Sequence, residues 1–193
     1  MAANKDAAFG LKPVGTLSGA GNLMTNEYFI ADDEASSMFQ GDPVKQQNSN
    51  TGFIDIGDNN EADIGVLNGV FYNAATTEKP TFQNYYSQVT PANSENITAF
   101  VIDNPTQLYV GMIDTAIPIA NMGKTFGFAS TTGSTTSGQS TNKMLLAGGH
   151  ATNNTWRTVR IAEDPENQDI AVANCSVVFV QNLNQYNNGV TMA

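Results

Sequence analysis

The chain has 193 residues, of which 40% are hydrophobic and only 13% are charged, and its net charge at pH 7 is −10. This length gives one domain of ordinary size or two small ones. The eight basic residues are scattered along the chain, which argues against binding to nucleic acid or to an anionic membrane surface, because both require clustered Lys and Arg. No apolar run approaches the ~20 residues of a membrane span, and no charged start followed by an apolar stretch indicates a secretory signal.

Glycine and small residues dominate residues 1–26, so a long helix is not expected there. This segment is predicted to be an extended arm in front of a β-rich domain of residues 27–193, which forms either one unit or two small β subdomains. So short an arm cannot bury its apolar side chains against itself. We therefore expect contacts with another polypeptide from Phe9, Leu11, Pro13 and Val14.

Three strands are predicted between residues 27 and 96. Glu27–Ile30 and Pro43–Lys45 are short, whereas Ile64–Tyr72 is longer and should bend or bulge at a glycine. Acidic residues precede residues 35–39 and favour a single helical turn there, since they complement the helix dipole.

The segment Ile97–Met112 is predicted to organise the fold. It contains two strand-like runs, Thr98–Ile102 and Gln107–Met112, separated by the turn sequence Asp103–Thr106. Side chains alternate along a strand, and both faces of the first run are apolar, so at least one of the two strands should be central in its sheet. We expect the two runs to form a hairpin.

The last third of the chain contributes further strands and one polar loop. Strands are predicted at Phe126–Ala129, at Thr155–Ile161 and within Ile170–Leu183, whereas the Ser/Thr/Gly-rich residues 130–142 are predicted to be a loop too polar to pack. Neither face of Thr155–Ile161 is cleanly apolar, so this strand should lie near a sheet edge or at a subunit contact that includes Trp156.

Strand-like periodicity throughout the chain, with turns rich in Gly, Pro, Asn and Asp, predicts an all-β protein. The expected architecture is a short-stranded sandwich or one or more small β-barrels with long loops.

Motifs for catalysis are scarce. His150 is the only histidine and Cys175 the only cysteine, which excludes a multi-histidine metal site and an intrachain disulfide. Cys175 lies in an apolar run and is expected to be a buried, inert thiol. No GxSxG elbow, phosphate-binding glycine loop or HExxH motif occurs. We therefore expect no catalytic residues, no cofactor and no resident metal.

Two weaker interpretations remain open. The acidic segment Asp55–Asp63 offers oxygen ligands of the kind that Ca²⁺ prefers, although its spacing differs from that of an EF-hand, and scattered carboxylates could serve glycoside hydrolysis. Trp156 together with Tyr85 and Tyr86 could form an aromatic platform for a sugar, with core or interface packing as the alternative.

Several segments resemble the small head proteins of tailed bacteriophages, the capsid decoration or cement proteins, particularly those of marine and cyanobacterial phages. The similar segments occur in the same order and are Ala8–Val14 (AFGLKPV), Phe39–Val44 (FQGDPV), Ile64–Tyr72 (IGVLNGVFY), Val101–Pro105 (VIDNP) and Arg160–Asp169.

This resemblance implies a β-rich structural protein on the exterior of the virion capsid. Such a protein would bind the major capsid protein, bridge neighbouring capsid subunits, and form a homo-oligomer, with a trimer favoured. The alternatives are a tail or neck component of the virion and a carbohydrate-binding module on its surface.

Overall fold

The computed structural model describes residues 3–19, 21, 23–49, 51–58, 61–129, 133–145 and 154–186. The described residues form an all-β protein with two short 3₁₀ turns, at Ala92–Ser94 and Ile119–Asn121. Its strands are β1 (Lys12–Thr16), β2 (Asn26–Ile30), β3 (Met38–Phe39), β4 (Pro43–Gln46), β5 (Ile54–Ile56), β6 (Gly65–Asn73), β7 (Pro80–Gln83), β8 (Tyr85–Tyr86), β9 (Ile97–Ile102), β10 (Gln107–Met112), β11 (Thr125–Phe128), β12 (Met144–Leu145), β13 (Trp156–Ile161) and β14 (Ser176–Gln181).

Two antiparallel sheets make up most of the fold. The first sheet has the order β1-β10-β14-β13-β11-β12, and the second has the order β2-β9-β6-β4-β5, with β7 paired to β6. A separate two-stranded ladder joins β3 to β8. None of these sheets closes into a barrel, and the architecture is consistent with the predicted sandwich. The prediction of an all-β fold is therefore confirmed.

The hydrophobic core consists of two clusters, one associated with each large sheet. The first cluster includes Tyr109, Trp156 and Phe179 from the first sheet and is joined by Val66 and Ile102 from the second. The second cluster lies inside the second sheet, which curls until Cα atoms of β2 and β5 are within 8 Å of each other. Each large sheet therefore packs around its own core cluster, and the first cluster also joins the two sheets because it contains residues from both.

The predicted hairpin within Ile97–Met112 is wrong, although both of its strands exist. β9 pairs with β2 and β6 in the second sheet, whereas β10 pairs with β1 and β14 in the first. The turn between them carries the chain from one sheet to the other, and the Tyr109 hydroxyl donates a 3.1 Å hydrogen bond to the Ile102 carbonyl across the crossing. Both strands are central in their sheets, which confirms the prediction that at least one of them would be.

The N-terminal segment is not a free arm. β1 is an edge strand of the first sheet, with a bulge between Pro13 and Gly15, and the amide of Leu11 donates to the Gly41 carbonyl at 2.9 Å. Nearer the start of the chain, the Asn4 side chain donates to the carbonyls of Asp169 and Ala173. The boundary predicted at residue 26 therefore does not separate an arm from the domain.

Other predictions about local structure are also corrected. Residues 35–39 contain no helical turn, since the Asp42 carboxylate accepts a 2.8 Å hydrogen bond from the amide of Phe39 and β3 is extended. The end of the Ser/Thr-rich loop packs into the protein, because the buried Ser140 and Asn142 form hydrogen bonds with Gln40 and Asp42, whereas residues 135–137 are exposed.

Strand β13 lies between β14 and β11 rather than at an edge. A bulge between Thr158 and Arg160 shifts the alternation of its side chains. Arg160 therefore lies on the same face as Arg157, and not on the face of Trp156 as simple alternation predicted. The bulge predicted in Ile64–Tyr72 is present, between Leu67 and Gly69.

Candidate functional site

The residues predicted to contact a partner divide into buried and exposed groups. Leu11 is 2% exposed and Trp156 is fully buried, and both belong to the first core cluster. The indole Nε1 of Trp156 donates a 3.2 Å hydrogen bond to Asp63, and the ring meets Tyr109 edge-on. The assignment of Leu11 and Trp156 to an interface is therefore wrong, because the chain's own sheets already cover them. Val14 is 52% exposed, and Phe9 and Pro13 are half-buried.

The proposed sugar platform is not assembled. Trp156 lies in the first core cluster and Tyr86 in the second. Tyr86 is buried, and its hydroxyl donates a 2.7 Å hydrogen bond to the carbonyl of Glu34. The half-buried Tyr85 stacks on Phe39 at a centroid distance of 5.6 Å. These three rings perform separate packing roles and cannot bind one ligand together.

The described carboxylates of the acidic segment do not converge on a common point, and Asn59 lies outside the described residues. Asp63 is fully buried, Asp55 accepts a hydrogen bond from the amide of Ile56, and Glu61 pairs with Lys45. Burial raises the pKa of Asp63 well above its ordinary value, so this carboxyl is held in a form poorly suited to binding a cation. Among the described residues, no group of three or more His, Cys, Asp or Glu side chains could hold a metal ion.

Cys175 is a buried thiol in the first core cluster. Burial raises the pKa of the Cys175 thiol to about 11, so the reactive thiolate is scarce at neutral pH. This agrees with the expected buried thiol. His150 lies outside the described residues.

The most prominent exposed feature is a cluster of four phenylalanines on the outer face of the second sheet, which we call the aromatic patch: Phe29, Phe71, Phe82 and Phe100. Phe82 is 72% exposed and Phe29 is 48% exposed. The Phe82 ring lies 4.7 Å from the Phe71 ring and 6.2 Å from the Phe100 ring, measured between centroids. The rings of Phe71, Phe82 and Phe100 are therefore contiguous on β6, β7 and β9, and Phe29 extends the patch onto β2 beyond Thr98.

Strand register explains why these side chains meet. Phe29 is opposite Thr98, Thr98 is opposite Phe71, and Phe71 is opposite Phe82, and directly opposed residues of antiparallel strands share a face. Phe100 shares that face because it is two residues from Thr98. Its partner in register is Gly69, where a Cβ would lie 3.0 Å from the Gln83 carbonyl oxygen. The glycine leaves a gap in the row of side chains, and the Phe82 and Phe100 rings lie on either side of it.

The patch is the uncovered continuation of a buried surface. Further along the same face, Ile102 is opposite Val66, and both are buried in the first core cluster beneath the first sheet. The first sheet thus covers one end of this apolar face and leaves the aromatic end exposed. Alternation along β9 correctly separates Phe100 and Ile102 from Ala99 and Val101, but the sequence does not reveal how far the covering sheet extends.

The outer face of the first sheet is a second candidate surface. One row of cross-strand neighbours on this face consists of Lys12, Val110, Val178 and Arg160. In the next row, Arg157 is opposite Val180. The six strands of this sheet contain these three basic residues and no Asp or Glu, although the chain has eighteen acidic residues. The strands of this face therefore contribute only positive charge on an acidic protein, which suits a partner surface carrying negative charge.

Within the described ranges, no helix has the length and apolar character needed to cross a bilayer. Comparison of the chain with protein-family models, with curated proteins and with solved structures finds no match.

Proposed function

We propose that the protein is a non-catalytic structural component of a phage virion, which binds the outer surface of the capsid and bridges neighbouring major capsid subunits. The observation that carries this proposal is the aromatic patch. Contiguous exposed apolar surface on a folded protein marks a site of interaction, and aromatic residues are enriched in the energetically important centres of protein interfaces.

Covering the aromatic patch would contribute favourably to the free energy of binding a protein. Burial of one Phe side chain contributes about 1.5–3 kcal/mol, and Phe82 and Phe29 are the most exposed of the four rings. The rings are held by a sheet, so little conformational entropy is lost when a partner covers them. A rigid aromatic surface of this kind suits a protein partner with a complementary apolar surface.

Bridging requires two separate contact surfaces on each copy. The aromatic patch on the second sheet and the positive outer face of the first sheet differ in chemistry, so they fit different parts of a partner. The resemblance of segments such as Ala8–Val14 and Phe39–Val44 to phage decoration proteins makes the major capsid protein the expected partner and a homotrimer the expected form. The net charge of −10 suits a particle exterior better than contact with packaged DNA.

Rebinding to phage heads stripped of the protein tests the proposal. Phe82→Ser should weaken rebinding about tenfold or more, since it removes one large apolar contact. Ile119→Ser is the matched control, because Ile119 is 68% exposed but lies on a 3₁₀ turn outside the patch, and it should rebind like the wild type. Sedimentation of the heads with labelled protein measures both.

Heads carrying the wild-type protein should also burst at a higher temperature than stripped heads. Equal bursting temperatures, or full rebinding by Phe82→Ser, would contradict the bridging role. Recovery of the protein with tails rather than heads would instead support a tail or neck component.

A further inference from the structure

A cleft of about 310 Å³ lies where β1 passes over the outer face of the second sheet. Its lining includes Phe9 and Pro13, which we call the apolar wall, and the three amide residues Gln40, Asn68 and Gln139, which we call the amide wall. The volume is at the low end of the ~300–1,000 Å³ range of small-molecule sites. The cleft therefore has room for a ligand of one or two rings.

The amide wall keeps unused hydrogen-bonding capacity. Gln40 Nε2 donates to Asn68 Oδ1 at 3.1 Å, which leaves the side-chain Oε1 of Gln40 and the side-chain Nδ2 of Asn68 available for a ligand. Within the described part of the chain, the Gln139 side-chain amide forms no hydrogen bond. All three residues are half-buried, and together they offer donors and acceptors side by side.

Backbone groups at the base of the cleft are already paired. The amide of Gly41 donates to the Leu67 carbonyl, the amide of Leu67 to the Asp42 carbonyl, and the amide of Leu11 to the Gly41 carbonyl, each at 2.9 Å. An extended peptide that binds by adding a strand needs free backbone groups, and these are not free. Recognition in this cleft must therefore use the side-chain amides and the apolar wall.

We propose that this cleft binds a neutral saccharide of one or two rings. Adjacent sugar hydroxyls both donate and accept hydrogen bonds, as the amides do, while the C–H face of a sugar ring can pack against Phe9 and Pro13. The one charged side chain among the described residues lining the cleft is Lys12, whose ammonium lies 4.3 Å from the centroid of the Phe9 ring. This cation is already engaged with the ring, which favours a neutral over an anionic ligand. The cleft is separate from the aromatic patch, although Lys12 also lies on the outer face of the first sheet, and it differs from the platform of Trp156, Tyr85 and Tyr86.

Nuclear magnetic resonance titration of the full-length protein tests this assignment. The probes are glucose, galactose, mannose, rhamnose, N-acetylglucosamine, lactose and maltose, each added to several times the dissociation constant of about 1 mM that is expected for so small a site. At least one saccharide should shift the side-chain NH₂ signals of Gln40, Asn68 and Gln139. Gln139→Ala should weaken that binding about tenfold, as expected for loss of well-placed hydrogen bonds.

Gln168→Ala is the matched control, since Gln168 is an exposed amide that lines a different groove, and binding should be unchanged in it. The wild-type shifts locate the site even if a cleft variant folds poorly. The proposal is overturned if no saccharide shifts the three amide signals, or if Gln139→Ala binds as tightly as the wild type.

Discussion

Replacement of Leu11 by Ala distinguishes a strand of the fold from an arm that waits for a partner. Leu11 is 2% exposed and packs in the first core cluster. Its Cδ2 atom lies so close to Gly111 of β10 that a Cβ added to that glycine would be only 3.2 Å away. Leu→Ala changes at such sites cost about 2–5 kcal/mol, because apolar contact is lost and a cavity remains. We expect a loss of about 3 kcal/mol in the free energy of unfolding.

Urea unfolding followed by the fluorescence of Trp156 measures this loss, because the only tryptophan lies in the same cluster as Leu11. With a urea dependence of about 2 kcal/mol per M, the midpoint should fall by about 1.5 M. Val14→Ala is the control. Its side chain is 52% exposed, so the change should stay within about 0.5 kcal/mol. If Leu11→Ala unfolds at the wild-type midpoint, the segment that leads into β1 does not contribute to the core and the arm interpretation is restored.

Two further predictions concern buried carboxyl groups. Burial raises the pKa of Asp42 to about 6 from an ordinary value of 3.8, despite lowering contributions from hydrogen bonds with Ser140, Phe39 and Asn142. Because the folded state holds this proton more tightly than the unfolded chain, the stabilisation is complete below pH 3.8 and is lost as the pH rises to about 6. In the wild type, the free energy of unfolding should fall as the pH rises through this range, and Asp42→Asn should make that fall smaller. Urea titrations at several pH values measure it. If the fall is the same in Asp42→Asn as in the wild type, other titrating groups cause it. Trp156→Phe removes the donor to Asp63 and should cost about 1–3 kcal/mol, measured by urea unfolding followed by far-UV circular dichroism. A cost below about 0.5 kcal/mol would show that this hydrogen bond is dispensable.

The sequence alone identified most strands, because alternation of apolar side chains is a local property. β9, β10 and β14 fall within the predicted segments, and the bulge in β6 follows from its glycines. The burial of Cys175 was likewise predictable from its apolar neighbours. Each of these features depends on residues that are close together in the chain.

Tertiary pairing decided what local patterns could not. β9 and β10 are adjacent in sequence and separated by a turn, but each pairs with two strands that are distant in sequence, and the two belong to different sheets. Leu11 and Trp156 became core residues because distant strands cover them, and Phe82 remained exposed because the first sheet covers only the other end of its face. The candidate surfaces could not be predicted for the same reason: exposure depends on which long-range contacts form, whereas periodicity records only which side chains share a face.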